Sequence, residues 1–411
     1  MNLLVVGILT GLGFASVYIA RSEVVSPQSL TYAAFFLGLY LIAHVVARLT
    51  VPHADPYLLP LAGFLTAVGV TEIYRLNPDD AFRQGLWVVI GVALFAATLY
   101  ALRVDFRRLE SYKYVIGLGA LVLLVMPAVP GIGREINGAR LWVGIGPLQF
   151  QPGEFAKILM IVFLAGYLRE KREVLAQGRL KDFGPLLLIW GGAMAVLVQT
   201  NDLGSGLLYF GIFLGMLYAA TSRFVFVAGG MGLFLAGSAF VYQVVPRVQE
   251  RVSNWLDPWP HASDTAYQLV QSLFAIAFGG FAGTGLGRGT FTDADGHVLI
   301  PYLNTDFIYA ALAHELGLVG IAAVLLVYML FVSRGFRIAM LSQDGFSKLL
   351  AVGLTFSFAL QTFIIVGGVL RLIPLTGITL PFVSYGGSSL LANFVLLAGL
   401  LLVSNRANAP R

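Results

Sequence analysis

Cysteine is absent from the 411 residues, which excludes disulfides, thiolate nucleophiles and cysteine-held metals. Charge is scarce too: only 11% of residues are Asp, Glu, Lys or Arg, where a soluble domain carries roughly a quarter. The run HELGL at 314–318 has no second histidine to complete an HExxH zinc site. No basic cluster interleaved with aromatics calls for a nucleic-acid partner. The glycine-rich run GGFAGTGLGRG at 279–289 holds neither G-x-G-x-x-G nor a Walker lysine, so it implies a flexible or tightly packed loop rather than nucleotide chemistry. No internal repeat supports an inverted-repeat transporter. The first residues lack a basic n-region and a small-x-small cleavage site, so the first apolar run reads as a retained anchor helix.

Apolar residues are what the chain has in excess, at 58% with a mean hydropathy of +0.83. Apolar stretches of spanning length, roughly 17–25 residues, predict helices at 3–20, 29–49, 57–75, 82–102, 113–129, 154–169, 183–200, 203–220, 224–244, 306–333, 346–370 and 379–404. The expected fold is an all-α polytopic membrane protein of about twelve transmembrane helices. Residues 1–105 read as accessory helices poor in intramembrane charge. Residues 106–411 read as a charge-bearing core. Within it, 246–305 is too long to be a plain connector, and its apolar piece 266–282 reads as re-entrant or interfacial.

Alternate loops differ in basic residues. The set around 48, 103–113, 169–181, 223 and 334–348, with the tail, holds 16 of the 26 Lys and Arg. By the positive-inside rule that set is cytoplasmic, both termini lie inside, and 246–305 faces outward. The +5 net charge then reflects topology and anionic lipid.

Ionisable groups at helix ends in a membrane are candidate sites. In QPGEFAK, Glu154 and Lys157 share a helix face, as an ion pair or as a cation near an outer cavity with Arg134 or Arg140. In TNDLG, Asp202 is either a helix cap or a site carboxylate. In RVSNWLDPWP, Asp257 stands among Trp255, Pro258 and Trp259. It is either part of an interface anchor or a carboxylate raised towards general-base duty by desolvation. Asp306 opens a long helix, where capping is the default, and His314 and Glu315 lie two turns deeper. In RLIPLTGITLPFVSYGGSSLL, Pro374, Pro381 and Gly386–Ser389 mark non-helical backbone at membrane depth, which survives only when buried or lining a cavity.

Together, QPGE..K (151–157), NDLG (201–204), WLDP (255–258), TDFIYAALAHELGLVG (305–320) and LPFVSYGGSSLL (380–391) closely resemble the SEDS family (shape, elongation, division and sporulation). Its RodA- and FtsW-type members build bacterial cell wall. The resemblance covers roughly 106–405. The first hundred residues, with HADPYLLPLAGFLTAVGVTEIYRL (53–76), look like the extended N-terminus of some RodA-type members. This chain departs from the family pattern at Leu141, Gly153 and His314.

The resemblance implies a peptidoglycan glycosyltransferase polymerising lipid II on the outer face of the bacterial cytoplasmic membrane. The family's essential carboxylate falls on Asp257, as general base towards the acceptor hydroxyl. Lys157 and Arg140 become candidates for the leaving pyrophosphate, with a divalent cation such as Mg2+ left open. Glu154, Asp202, Asp306, Ser388 and Ser389 become candidate substrate-binding groups. A class B penicillin-binding transpeptidase and elongation or division complex proteins are the implied partners. Two other readings remain: a flippase for a polyprenyl-linked precursor, which intramembrane charge and a broken helix also suit, and a non-catalytic scaffold.

Overall fold

The apolar runs become long helices, and the polar stretches between them become shorter ones. The computed structural model describes residues 2–22, 27–136, 139–145, 148–176, 184–292 and 298–409. Arg179, Lys181 and Arg411, counted above for topology, lie outside these residues. Four helices open the chain: α1 Asn2–Ser22, α2 Pro27–Thr50, α3 Leu58–Leu76 and α4 Pro78–Leu102. Next come α5 Arg108–Ser111, α6 Lys113–Val125, α7 Pro152–Ala176, α8 Gly184–Gln199, α9 Leu203–Thr221 and α10 Phe224–Val244. The chain ends with α11 Pro246–Leu256, α12 Tyr267–Gly279, α13 Ile308–Leu341, α14 Gly345–Val369 and α15 Gly387–Asn408.

Among the described residues, eight helices are long and apolar enough to cross a membrane: α1, α2, α4, α9, α10, α13, α14 and α15. α6, α8 and α12 are apolar but shorter, while α3 and α7 carry charge within them (Glu72 and Arg75; Glu154 and Lys157). The protein is therefore a multi-pass membrane protein. α14 and α15 are largely enclosed, whereas α10 buries nothing within the chain.

Two expectations change, and one is filled in. The chain is not wholly α: β1 Gly133–Ile136, β2 Ala139–Ile145 and β3 Leu148–Phe150 form an antiparallel sheet in the order β1-β2-β3. The Asn137-Gly138 pair was the hairpin signal available there. Within 246–305 lie α11 and, over the apolar piece 266–282, α12. The last helix begins at Gly387 rather than 379, because Pro381 and the Gly386-Gly387 pair resist helix.

α13 has 34 residues, about 50 Å at 1.5 Å per residue, too long for one upright span. Gly317, with φ 65°, breaks it. The freed backbone groups are satisfied by the glycine-rich stretch. Thr284 N–H donates to His314 O (3.1 Å), Gly285 N–H to Glu315 O (3.0 Å), and Leu318 N–H to Gly280 O (2.9 Å). A Cβ on Gly317 would stand 2.2 Å from Gly283 N, so glycine is required by both φ and contact.

Candidate active site

The irregular stretch 371–386 acts as a spine that touches nearly every polar group singled out above. It leaves α14 through Arg371 at φ 60° and passes Gly377 at φ 73°. Its polar backbone needs partners at this depth, and five helices supply them.

The first group is buried. Lys157, 3% exposed, donates from Nζ to Glu154 Oε2 at 2.8 Å and to Gln361 Oε1 at 2.7 Å. Gln361 passes the chain on, donating from Nε2 to Thr379 O at 2.9 Å. Thr379 Oγ1 donates to Ser389 Oγ at 2.7 Å, and Gln151 N–H donates to Ser388 Oγ at 2.9 Å. Lys157 is thus an interior cation bound on two sides rather than a surface ion pair. The two serines are buried and their hydroxyls are used inside the protein, fastening the first turn of α15 to Gln151, just before α7, and to the spine. Tyr209 of α9 adds a hydrogen bond to Gly153 O at 2.8 Å.

The second group gathers around Arg251 of α11. Asp202 caps α9, accepting from Ser205 N–H at 3.0 Å, as its position suggested. Asp306 does not cap α13; the cap position is Phe307, without a side-chain bond. Both acids, Asp202 in addition to its cap, act electrostatically on Arg251, whose Nη1 donates to Thr376 O at 3.4 Å. Burial pushes the Asp306 carboxyl up to about 6, and Arg251 pulls the other way. Burial also raises Asp202, against its bonds from Ser205, with Glu154 adding repulsion. Glu154 therefore links the Lys157 group to this one.

Asp257 follows the last residue of α11 and is exposed, not enclosed between the tryptophans as expected. What holds it is backbone. Arg371 Nε donates to Trp255 O at 2.6 Å, Arg371 Nη2 donates to Leu256 O, and Trp255 Nε1 returns a bond to Arg371 O at 3.1 Å. The guanidinium satisfies two carbonyls at the helix C-terminus, where a cation is favoured. The residues immediately before Asp257 are thereby locked to the spine while its carboxylate faces out.

Arg140 stays at the edge. Its N–H donates to Thr200 O at 3.4 Å, beside the TNDLG turn, but its guanidinium is solvent-exposed and paired with Glu135 at 2.9 Å. No contact to Lys157 is formed. The structure thus joins Glu154, Lys157, Asp202, Asp306, Ser388 and Ser389 through the spine, places Asp257 on the rim, and leaves Arg140 alongside. Arg251 and Gln361 were missed. A lone glutamine in the apolar run FALQTFIIV was a readable signal, since polar side chains in spanning helices find partners. Nothing in the sequence brings Arg251 to Asp202 and Asp306.

A polytopic membrane protein with a buried acid–base cluster on broken helix and an exposed, clamped carboxylate is the class that fold and site define. Residues 57–409 match the family model of the FtsW/RodA/SpoVE cell cycle proteins, and the chain belongs to that family. The match reaches back to take in α3 and α4 and leaves α1 and α2 outside. The chain is similar to the peptidoglycan glycosyltransferase RodA of Mycobacterium tuberculosis, 43% identical over 406 residues, covering 93% of this chain and 85% of the relative. It is similar to the stage V sporulation protein E of Bacillus subtilis, 36% identical over 85% of this chain and 96% of that one. Among solved structures, a peptidoglycan synthase complex described as coordinating polymerization and crosslinking matches with TM-score 0.72 and 28% identity, over 87% of this chain and 99% of that chain. The RodA of Thermus thermophilus matches with TM-score 0.63 and 26% identity, over 87% and 98%.

Proposed function

We propose that the chain is a RodA-type peptidoglycan glycosyltransferase that polymerises lipid II into glycan strands. The observation that carries the site assignment is the Arg371 clamp, which fixes an exposed carboxylate at the rim of a cluster built on Lys157, Arg251 and their acids. Asp257 takes the proton from the acceptor sugar's hydroxyl as that oxygen attacks the donor's anomeric carbon. The bond to undecaprenyl pyrophosphate breaks, and the leaving oxygen keeps the electron pair. Fixed positive charge favours that departure. Lys157 and Arg140 remain the assigned groups, and Arg251 joins them. Asp202, Asp306 and Glu154 orient these cations, and Ser388 and Ser389 hold the start of α15 in place. Among the described residues, no three acidic or histidine side chains gather as the ligands of a resident metal would.

The bilayer in question is the bacterial cytoplasmic membrane, with both termini inside and Asp257 outside, as the loop charges indicate. A class B penicillin-binding transpeptidase would crosslink the product, in keeping with the synthase complex that this fold resembles.

Purified protein in lipid nanodiscs, given labelled lipid II, tests the activity. Glycan ladders formed without a partner's active site support it. Reconstitution in vesicles gives the rival outcome: transbilayer movement with no polymer would make the protein a flippase.

A further inference from the structure

Glu72 lies on α3, fully enclosed and one helical turn from Arg75. Among the described residues, neither of its carboxyl oxygens accepts a hydrogen bond. Its neighbour Glu315 on α13, equally enclosed, is amply served. Glu315 Oε1 accepts from Arg75 Nε at 2.9 Å and from Gly289 N–H at 3.0 Å, and Oε2 accepts from Gly287 N–H at 2.6 Å. Arg75 also donates from Nη2 to Gly289 O. This knot ties the glycine-rich strap 280–292 to both α3 and α13.

Two enclosed acids therefore share one guanidinium. Glu315 has the donors that a charged carboxylate needs, and Glu72 has none. A buried carboxylate left ionised without donors is strongly disfavoured, and an orphaned buried polar group in a native interior calls for an explanation. The charged groups that act on Glu72 are Glu315 from α13 and Arg75 from its own helix. The His314 ring turns away, with Nδ1 against Ala275 O at 3.0 Å and its face near Phe291. Between α1 and α3, the Tyr74 hydroxyl donates to the Tyr18 hydroxyl at 2.9 Å.

We propose that Glu72 is a proton-binding site, carrying its hydrogen at neutral pH, and that losing this proton loosens the glycine strap from α3. The mechanism is competition. An ionised Glu72 repels Glu315 and attracts Arg75, the same guanidinium that holds Glu315 and the carbonyl of Gly289. The strap's backbone bonds from Thr284 and Gly285 hold it to α13, so what an ionised Glu72 would release is its tie to α3 through Arg75 and Gly289 O. The strap lies in the same connection as Asp257, so proton occupancy at Glu72 bears on how firmly that connection is anchored. The proposal does not depend on the role given to Asp257.

The test is the infrared difference spectrum of full-length protein in lipid nanodiscs at pH 7, wild type minus Glu72→Gln. A protonated carboxylic acid carbonyl band, present in wild type and absent from the variant, is the expected result. Carboxylate bands in its place overturn the proposal, and bands that shift when sodium replaces potassium assign the site to a metal cation instead. Hydrogen exchange of the 280–292 peptide then tests the coupling. As pH is raised, exchange corrected for its intrinsic rate should accelerate about tenfold or more in wild type and stay flat in the variant. The same acceleration in both, or none in either across the range where the acid band disappears, overturns it. If Glu72→Gln fails to assemble, Glu72→Met supplies a neutral side chain of similar size for both measurements.

Discussion

Two stretches of broken helix cross this molecule, 280–292 and 371–386, and they solve one physical problem in opposite ways. Backbone that leaves the helix at depth must find partners for its N–H and C=O groups. The first stretch finds them chiefly in other backbone: its amides and carbonyls pair across the Gly317 break in α13. Glycines make this possible, because a Cβ at Gly283 would stand 2.2 Å from Glu315 O. The second stretch finds its partners largely in side chains from other helices: Gln361, Arg251 and Trp255 each bond to its backbone. A backbone seam of the first kind is closed and structural. A side-chain seam of the second kind gathers charge, and charge is what a transferase needs.

The comparison is broken most severely at the rim of the second stretch. Asp257→Asn should lower lipid II polymerisation by about two to four orders of magnitude, the range for a general base. Its thermal unfolding should stay unchanged, because the carboxylate is exposed; retained polymerisation would remove Asp257 from the chemistry. Next in size is Lys157→Met, which strips the Glu154 carboxylate and Gln361 Oε1 of their shared donor inside the protein. A loss of about 3–5 kcal/mol is expected, seen as a lower unfolding temperature, with part regained when Glu154→Gln is added.

In the first stretch, Glu315→Gln should cost about 1.5–3 kcal/mol, the worth of hydrogen bonds to a charged group, and leave the chemistry at Asp257 intact if folding is restored by lower temperature. Asp306 gives a subtler effect. Its folded carboxyl is raised from 3.8 to about 6, so the folded state binds that proton more tightly than the unfolded chain. Its contribution to stability is present at low pH and is lost as pH rises through this window. Unfolding temperature measured against pH for wild type and Asp306→Asn should show wild type losing ground to the variant between pH 4 and 6. Smallest is Arg140→Ala: the exposed pair with Glu135 is worth about 1 kcal/mol or less. A large drop in polymerisation with little change in melting would place this residue on substrate rather than on Glu135.

Much of this was legible beforehand. Apolar runs located α2, α9, α10 and α14 to within a few residues, because spanning length is imposed by the bilayer and written in composition. Asp202 as a cap and the break before Ser388 were legible for equally local reasons. The sheet at 133–150 was overlooked because its strands are short and sit between stronger helical signals. Capping, the default at the start of a helix, does not hold for Asp306, and the cation whose charge acts on it, Arg251, lies on another helix fifty-five positions earlier in the sequence.

The sequence by itself determined that this is a membrane protein, which segments are apolar enough to cross, and to which family its motifs belong, since each depends on residues close together in the chain. Only the tertiary structure decided which polar groups come together: Lys157 with Gln361, Arg251 in the field of Asp202 and Asp306, Arg371 with the backbone before Asp257, and Glu72 beside Glu315. Those pairings depend on how separate helices pack, and a buried charge is tolerable only where packing brings it a partner.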